Sequence, residues 1–231
     1  MNRVVMITGS TRGIGLATAA EFLKGGDRVV IFCRHRGHAL HAKKHLASLG
    51  PGENIFSLTG DVRNADDAKK IVRQCLKHFG RIDILVNNAG IAAYKSVEET
   101  GEREWDDIID TNLKGPFLFI RQVLPVMKRQ GDGIIINISS ALGVTAEAGF
   151  SAYCASKFGV IGLTQAVADE TAGDGLLVYA VLPWAVNTTL LSGSDLGLAP
   201  SEILAPEYVA EKIFAAARGK RKSGTLFEVY S

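Results

Sequence analysis

Short apolar runs alternate with longer amphipathic stretches along this chain, and no other property of the sequence restricts its fold as much. Residues 4–8, 28–33, 54–58, 82–87, 133–139 and 176–182 are continuously rich in Val, Ile and Leu. Such runs suit strands covered on both faces, as in a parallel sheet; a sheet with one wet face would alternate apolar with polar. Helical periodicity occupies 14–25, 38–49, 65–79, 102–129 and 151–172, and residues 225–230 add a last strand. Strand, helix, strand in this order predicts an α/β fold, a doubly wound parallel sheet flanked by helices and joined by right-handed crossovers. No repeat or composition shift marks a boundary. A chain of 231 residues, 47% hydrophobic, can bury one substantial core, so residues 1–231 are expected to form a single domain.

Charge narrows the partners. The formal net charge is +2 and the basic residues are dispersed, which argues against nucleic-acid binding. The densest basic stretch, 218–222, reads as a solvated linker before the last strand. Cys33, Cys75 and Cys154 have neither metal-ligand spacing nor the even number of a disulfide framework, so no metal is expected and a reducing compartment fits. The N-terminal Met-Asn-Arg-Val-Val-Met-Ile enters a strand directly, unlike a signal peptide, and no apolar run approaches the ~18 residues that cross a bilayer. A cytoplasmic protein with no membrane association is expected.

The first strand ends in Thr8-Gly9-Ser10-Thr11-Arg12-Gly13-Ile14-Gly15, and a helix follows. Glycine allows backbone angles closed to other residues and lets a pyrophosphate approach the main chain, while the helix start offers unpaired N–H groups. The spacing Gly9-x₃-Gly13-x-Gly15 departs from the common G-x-G-x-x-G, and a plain tight turn would use the same residues. Its place between first strand and first helix favours a dinucleotide. Tyr153 and Lys157 lie four apart on one helix face, where an ammonium would favour the phenolate and lower a pKa ordinarily near 10. Ser140 closes the fifth strand, at the edge where open α/β sheets hold ligands. Asn112 interrupts a helical pattern as a mediocre interior helix residue.

Taken together with Asn87-Asn88-Ala89-Gly90, these residues make the chain resemble the short-chain dehydrogenase/reductase superfamily from residue 3 to about 190. The resemblance implies a Rossmann-type oxidoreductase using NAD or NADP, and a homodimer or homotetramer. It implies a catalytic set of Asn112, Ser140, Tyr153 and Lys157, with Ser140 thirteen positions before Tyr153. Ser139, its neighbour, is off that spacing by one. Tyr153 would trade a proton with the substrate oxygen, Ser140 would hold that oxygen, Lys157 would also bond the nicotinamide ribose, and Asn112 would mark a helix distortion that positions a water.

Cofactor contacts fall by the same resemblance on Gly9, Thr11, Arg12, Gly13, Ile14 and Gly15 in the turn. They extend to Cys33 and Arg34 after the second strand, Asp61 and Val62 after the third, and Asn88, Ala89 and Gly90 after the fourth. Tyr153 and Lys157 join them, as do Pro183, Val186 and Thr188 after the sixth strand. Asn88 and Gly90 carry a partly structural role, and Asp61 could equally cap the next helix.

NAD-selective relatives commonly carry an acid at the position of Cys33. A carboxylate beside the extra phosphate of NADP would cost about 4 kcal/mol at ~4 Å and an effective dielectric of ~20. Arg12 and Arg34 instead offer cationic forks, so NADP(H) is favoured, with NAD(H) possible. Trp184 stands where the family has glycine, so the loop is expected either to run differently or to wall the substrate pocket with the ring. A short substrate lid is expected between Thr188 and Pro206. Ala141, Leu142, Phe150, Trp184 and Leu190 are candidate pocket liners. The small-residue stripe Ala155, Gly159, Gly162 and Ala166 would allow close helix approach, inside the chain or between copies.

The expected activity is reduction of a carbonyl (ketone, aldehyde or 3-oxoacyl group) on a small-molecule carbonyl or alcohol substrate. An NAD-dependent alcohol dehydrogenase and a non-catalytic nucleotide sensor on the same fold are the alternatives. An enoyl reductase would need a wider Tyr-to-Lys spacing.

Overall fold

The computed structural model describes residues 2–188, 190, 200–219 and 222–230. Seven strands form one parallel sheet: β1 (Val4–Thr8), β2 (Arg28–Cys33), β3 (Ile55–Thr59), β4 (Ile84–Asn87), β5 (Gly133–Ile138), β6 (Leu176–Pro183) and β7 (Leu226–Val229). Their order is β3-β2-β1-β4-β5-β6-β7, so the winding reverses between β1 and β4. The connecting helices are α1 (Gly13–Lys24), α2 (Arg36–Leu46), α3 (Ala65–Phe79), α4 (Glu102–Ile109), α5 (Gly115–Gln130), α6 (Ser151–Glu170) and α7 (Pro206–Ala216).

The apolar runs become strands because both faces of the sheet are covered. Successive side chains of a strand point to opposite faces. Val5 and Ile7 of β1 therefore join Phe22, Ile31, Tyr179 and Ile213 on one side. Val4 and Met6 join Phe32, Leu85, Phe119 and Val178 on the other. Strand ends differ from the apolar runs by a residue or two. The run beginning at 82 enters β4 only at Ile84, because the Asp83 carboxylate accepts the Val4 N–H at 2.7 Å and an ion pair from Arg81.

Helix boundaries follow local chemistry. Asn64 caps α3 by accepting the N–H groups of Asp66 and Asp67 at 2.8 and 3.1 Å, and Gly80 ends the helix in a left-handed conformation. α2 starts at Arg36 and ends at Leu46, so the expected 38–49 is displaced toward the N-terminus. The expected helix over 102–129 is not continuous. A π-helical turn at Asp110–Lys114 separates α4 from α5 and contains Asn112. The short lid expected between Thr188 and Pro206 falls largely outside the described residues, as do residues 220 and 221 of the basic stretch.

Candidate active site

At the carboxyl ends of the central strands, above the reversal between β1 and β4, lies a cleft of about 760 Å³. Open α/β sheets hold ligands at this position. The glycine-rich turn forms one wall. Gly9 has φ +62°, and a Cβ there would sit 2.9 Å from Ala89 Cα, so only glycine lets the end of β4 lie against the turn. Arg12, at the N-cap of α1, makes no side-chain capping bond, which leaves the first-turn N–H groups turned toward the cleft without a side-chain partner.

Asn88 ties this wall together. Its Nδ2 donates to Thr8 O at 3.0 Å and Gly9 O at 3.2 Å, and the Thr8 hydroxyl accepts the N–H groups of Asn88 and Ala89 at 2.9 and 2.8 Å. Ser10 accepts the Phe32 N–H at 2.9 Å and fastens the turn to β2. Thr8 and Ser10 were not singled out from the sequence. Their partners lie 80 and 22 residues away, beyond any local pattern.

Every expected cofactor contact except Gly15 lines the cleft: Gly9, Thr11, Arg12, Gly13 and Ile14 in the turn, with Cys33, Arg34, Asp61 and Val62 beside them. Asn88, Ala89, Gly90, Pro183, Val186 and Thr188 line it further along. Gly15 is buried within α1 beneath the turn, against the Asn88 side chain. The choice left open for Asp61 resolves against capping, since Asn64 caps α3. Asp61 instead binds the Arg63 guanidinium at 2.7 Å, and the bonds from Arg63 hold its carboxyl below the usual range against the opposing effect of burial. Cys33 donates its thiol to His35 O at 3.2 Å, and Arg12 and Arg34 are exposed and free of any ion pair among the described residues.

Asn112, Ser140, Tyr153 and Lys157 converge at the other end. Ser140 begins the short turn after β5; its hydroxyl accepts the Leu142 N–H at 3.2 Å and favours the ionised form of the Tyr153 hydroxyl. Ser139 points the other way and donates to Lys157 O at 3.0 Å. One turn of α6 beyond Tyr153, the Lys157 ammonium donates to Ile138 O at 2.8 Å and lies 5.5 Å from the Tyr153 ring centroid. Asn112 lies behind them: its Oδ1 accepts the Ile91 N–H at 2.9 Å, and its Nδ2 donates to Ile91 O and to Ser156 Oγ at 2.9 and 3.0 Å. Ser156 in turn donates to Tyr153 O at 2.7 Å.

The expected lowering of the phenol is not what the folded chain produces. Burial pushes Tyr153 up to about 12, the Ser140 hydroxyl opposing it only in part, and burial brings Lys157 down to about 8. Desolvation decides both directions, so Tyr153 holds its proton at neutral pH.

Trp184 keeps an ordinary backbone, since among the described residues only glycines have positive φ. Its N–H donates to Val229 O at 3.0 Å and its ring lines the cleft, tilted against Tyr230 at 6.4 Å. Trp184 thus lines the cleft, as one of the two expectations for it had it. Ala141, Leu142, Phe150 and Leu190 line the same end, joined by Glu147, which sequence reasoning passed over.

The sequence profile of the family described as short chain dehydrogenase matches residues 3–196. The 3-oxoacyl-[acyl-carrier-protein] reductase FabG of Staphylococcus epidermidis is 39% identical over 184 residues, 79% of this chain and 75% of the relative. An uncharacterized oxidoreductase of Thermotoga maritima is 40% identical over 181 residues, 78% of this chain and 70% of the relative. Among solved structures, levodione reductase superposes with a TM-score of 0.92 at 27% identity, covering 99% of this chain and 96% of its own. ElxO with NADP bound gives 0.90 at 31% identity, covering 99% and 97%.

Proposed function

The chain belongs to the short-chain dehydrogenase/reductase family and is an NAD(P)-dependent oxidoreductase, and on that premise we propose that it reduces a ketone, aldehyde or 3-oxoacyl group with NADPH. The observation that carries the reading is the buried Tyr153, sharing the cleft lining with Ser140 and backed by Lys157, at the end of a cleft that begins in an uncapped helix N-terminus.

The residues present fit a dinucleotide. Gly9 leaves main chain open where a Cβ would collide, the first turn of α1 keeps N–H groups for a pyrophosphate, and Arg12 and Arg34 stand free for a further phosphate. No carboxylate occupies the end of β2, which supports NADPH over NADH. When bound, the nicotinamide supplies the hydride.

Ser140 donates to the substrate carbonyl oxygen and holds it beside the phenol. Tyr153, kept protonated by burial, gives its proton to that oxygen as negative charge builds there. Lys157 stabilises the phenolate left behind, and Asn112, through Ile91 and Ser156, fixes the backbone of both strand end and helix. Phe117 of α5, Phe158 of α6 and Trp105 of α4, large apolar side chains left exposed, support a homodimer or homotetramer. Three free thiols, two of them buried, fit a reducing, cytoplasmic setting.

The test is a panel of ketones, aldehydes and 3-oxoacyl thioesters, with loss of NADPH absorbance as readout. Turnover of at least one class with NADPH preferred to NADH is expected. Oxidation of NADPH by none of them would defeat the reading.

A further inference from the structure

The charged side chains that line the cleft are unevenly placed. Arg12 and Arg34 stand at the end formed by β1 and β2, with Asp61, bound to Arg63, beside them. At the Tyr153 end, Lys157 is buried and committed to Ile138 O, which leaves Glu147 as the one exposed charged side chain among the described lining residues there. Its carboxylate has no hydrogen bond or ion pair with any described residue. Glu147 is held in place by its own main chain, whose carbonyl accepts the Phe150 N–H at 3.2 Å. The Phe150 ring in turn meets Tyr153 edge-on at 6.2 Å. Trp184, 39% exposed and steadied by Tyr230, closes the same end. An unpaired carboxylate sharing a cleft lining with the exposed Trp184 ring is the chemistry that recognises an organic cation, since ring faces and carboxylate both attract positive charge.

We propose that the substrate half of the cleft takes an apolar carbonyl compound bearing a positive charge, such as an alkylammonium, and that Glu147, Phe150 and Trp184 discriminate against carbonyl compounds bearing a carboxylate or phosphate. This rests on the carbonyl-reductase reading above and narrows its substrate class. Trp184 and Leu142 hold the apolar body, with Phe150 behind as backing and the carbonyl oxygen at Ser140 and Tyr153. Glu147 then meets the cation at the rim, where an anion would face an uncompensated negative charge.

The experiment uses three ketones of one shape: para-(aminomethyl)acetophenone, para-methylacetophenone and para-acetylphenylacetate. Their kcat/KM values with NADPH are normalised to the neutral member in the native protein, in Glu147→Gln and in Glu147→Lys. The native protein is expected to favour amine over carboxylate by about three- to tenfold, the scale of an exposed pair acting once as attraction and once as repulsion. Glu147→Gln brings the ratio toward one and Glu147→Lys inverts it, and added salt weakens the native preference. A native ratio of one, or a ratio indifferent to Glu147→Lys, overturns the proposal. Calorimetric binding of the same ketones to the NADPH complex of Tyr153→Phe, with and without Glu147→Lys, reads charge selectivity apart from turnover. Absence of all turnover alongside charge-selective binding would then overturn the reductase reading alone. Binding with no charge preference overturns this inference whatever the turnover.

Discussion

A tyrosine held at about 12 keeps its proton at neutral pH, so Tyr153 is present in the form that the proposed reduction needs as its acid. The phenolate formed in the reaction needs a cation beside it, and Lys157, brought down to about 8, is that cation only below this value. Reduction is therefore expected to hold a plateau near neutral pH and to fall as pH rises through about 8, measured as kcat/KM across pH. The same burial opposes folding. With the folded pKa of Lys157 depressed from 10.5 to about 8, the unfolded chain binds more protons between those values, so the lysine's penalty is complete below about 8 and disappears toward 10.5. Lys157→Met is accordingly expected to stabilise the protein at pH 7 by roughly 1–3 kcal/mol in urea unfolding, with the gain shrinking toward pH 10. Tyr153, raised from 10 to about 12, acts in the opposite sense above pH 10, where stability falls as pH rises. At the other end of the cleft, replacing Cys33 by Asp together with Arg34 by Ala should lower the NADPH/NADH ratio of kcat/KM at least tenfold, since it sets a carboxylate against phosphate and removes a fork. An unaltered ratio would remove the cofactor argument.

Among the elements, the π-helical turn between α4 and α5 matters most to the site. It presents Asn112 so that one amide satisfies both main-chain groups of Ile91 and the hydroxyl of Ser156. Asn112→Ala leaves those buried groups unpaired and is expected to cost about 2–3 kcal/mol by denaturant unfolding, with kcat falling more than KM changes. The N-cap Asn64 is a control remote from the cleft, and Asn64→Ala should cost about 1 kcal/mol with kcat/KM intact. The sequence carried these elements unevenly. Apolar runs marked β1 to β6 to within two residues, because a sheet covered on both faces writes itself as unbroken hydrophobicity, and the more exposed β7 fell within the expected 225–230. Periodicity ran straight through 102–129, since one π turn displaces the pattern by too little to register; Asn112 was visible as an awkward helix residue, and the distortion there was expected only from the family resemblance.

For the molecule as a whole, strand order sets the cleft between β1 and β4 and gathers residues from turns that are far apart in sequence. That the glycine-rich turn and its arginines would line one end of this cleft was legible because glycines and arginines announce themselves by residue type. The Tyr153 end was legible for the four polar residues but not for its electrostatics, since burial, which decides both pKa directions, is a property of the packed chain. Glu147 had no local signal either, because its meaning comes from being the exposed charge beside Phe150 and Trp184. The exposed rings of Phe117 and Phe158 lead to an expectation at this scale. Phe117→Lys with Phe158→Lys should shift the protein to a smaller assembly in light scattering; an unchanged mass would move the interface elsewhere.

The account stands or falls on one proton. Tyr153→Phe removes the hydroxyl and keeps the ring, so it is expected to lower the rate of NADPH-dependent ketone reduction by about 10²–10⁴-fold while NADPH binding, followed by its fluorescence, stays as in the native protein. Reduction at the native rate by that variant would contradict the assignment of Tyr153 as the acid.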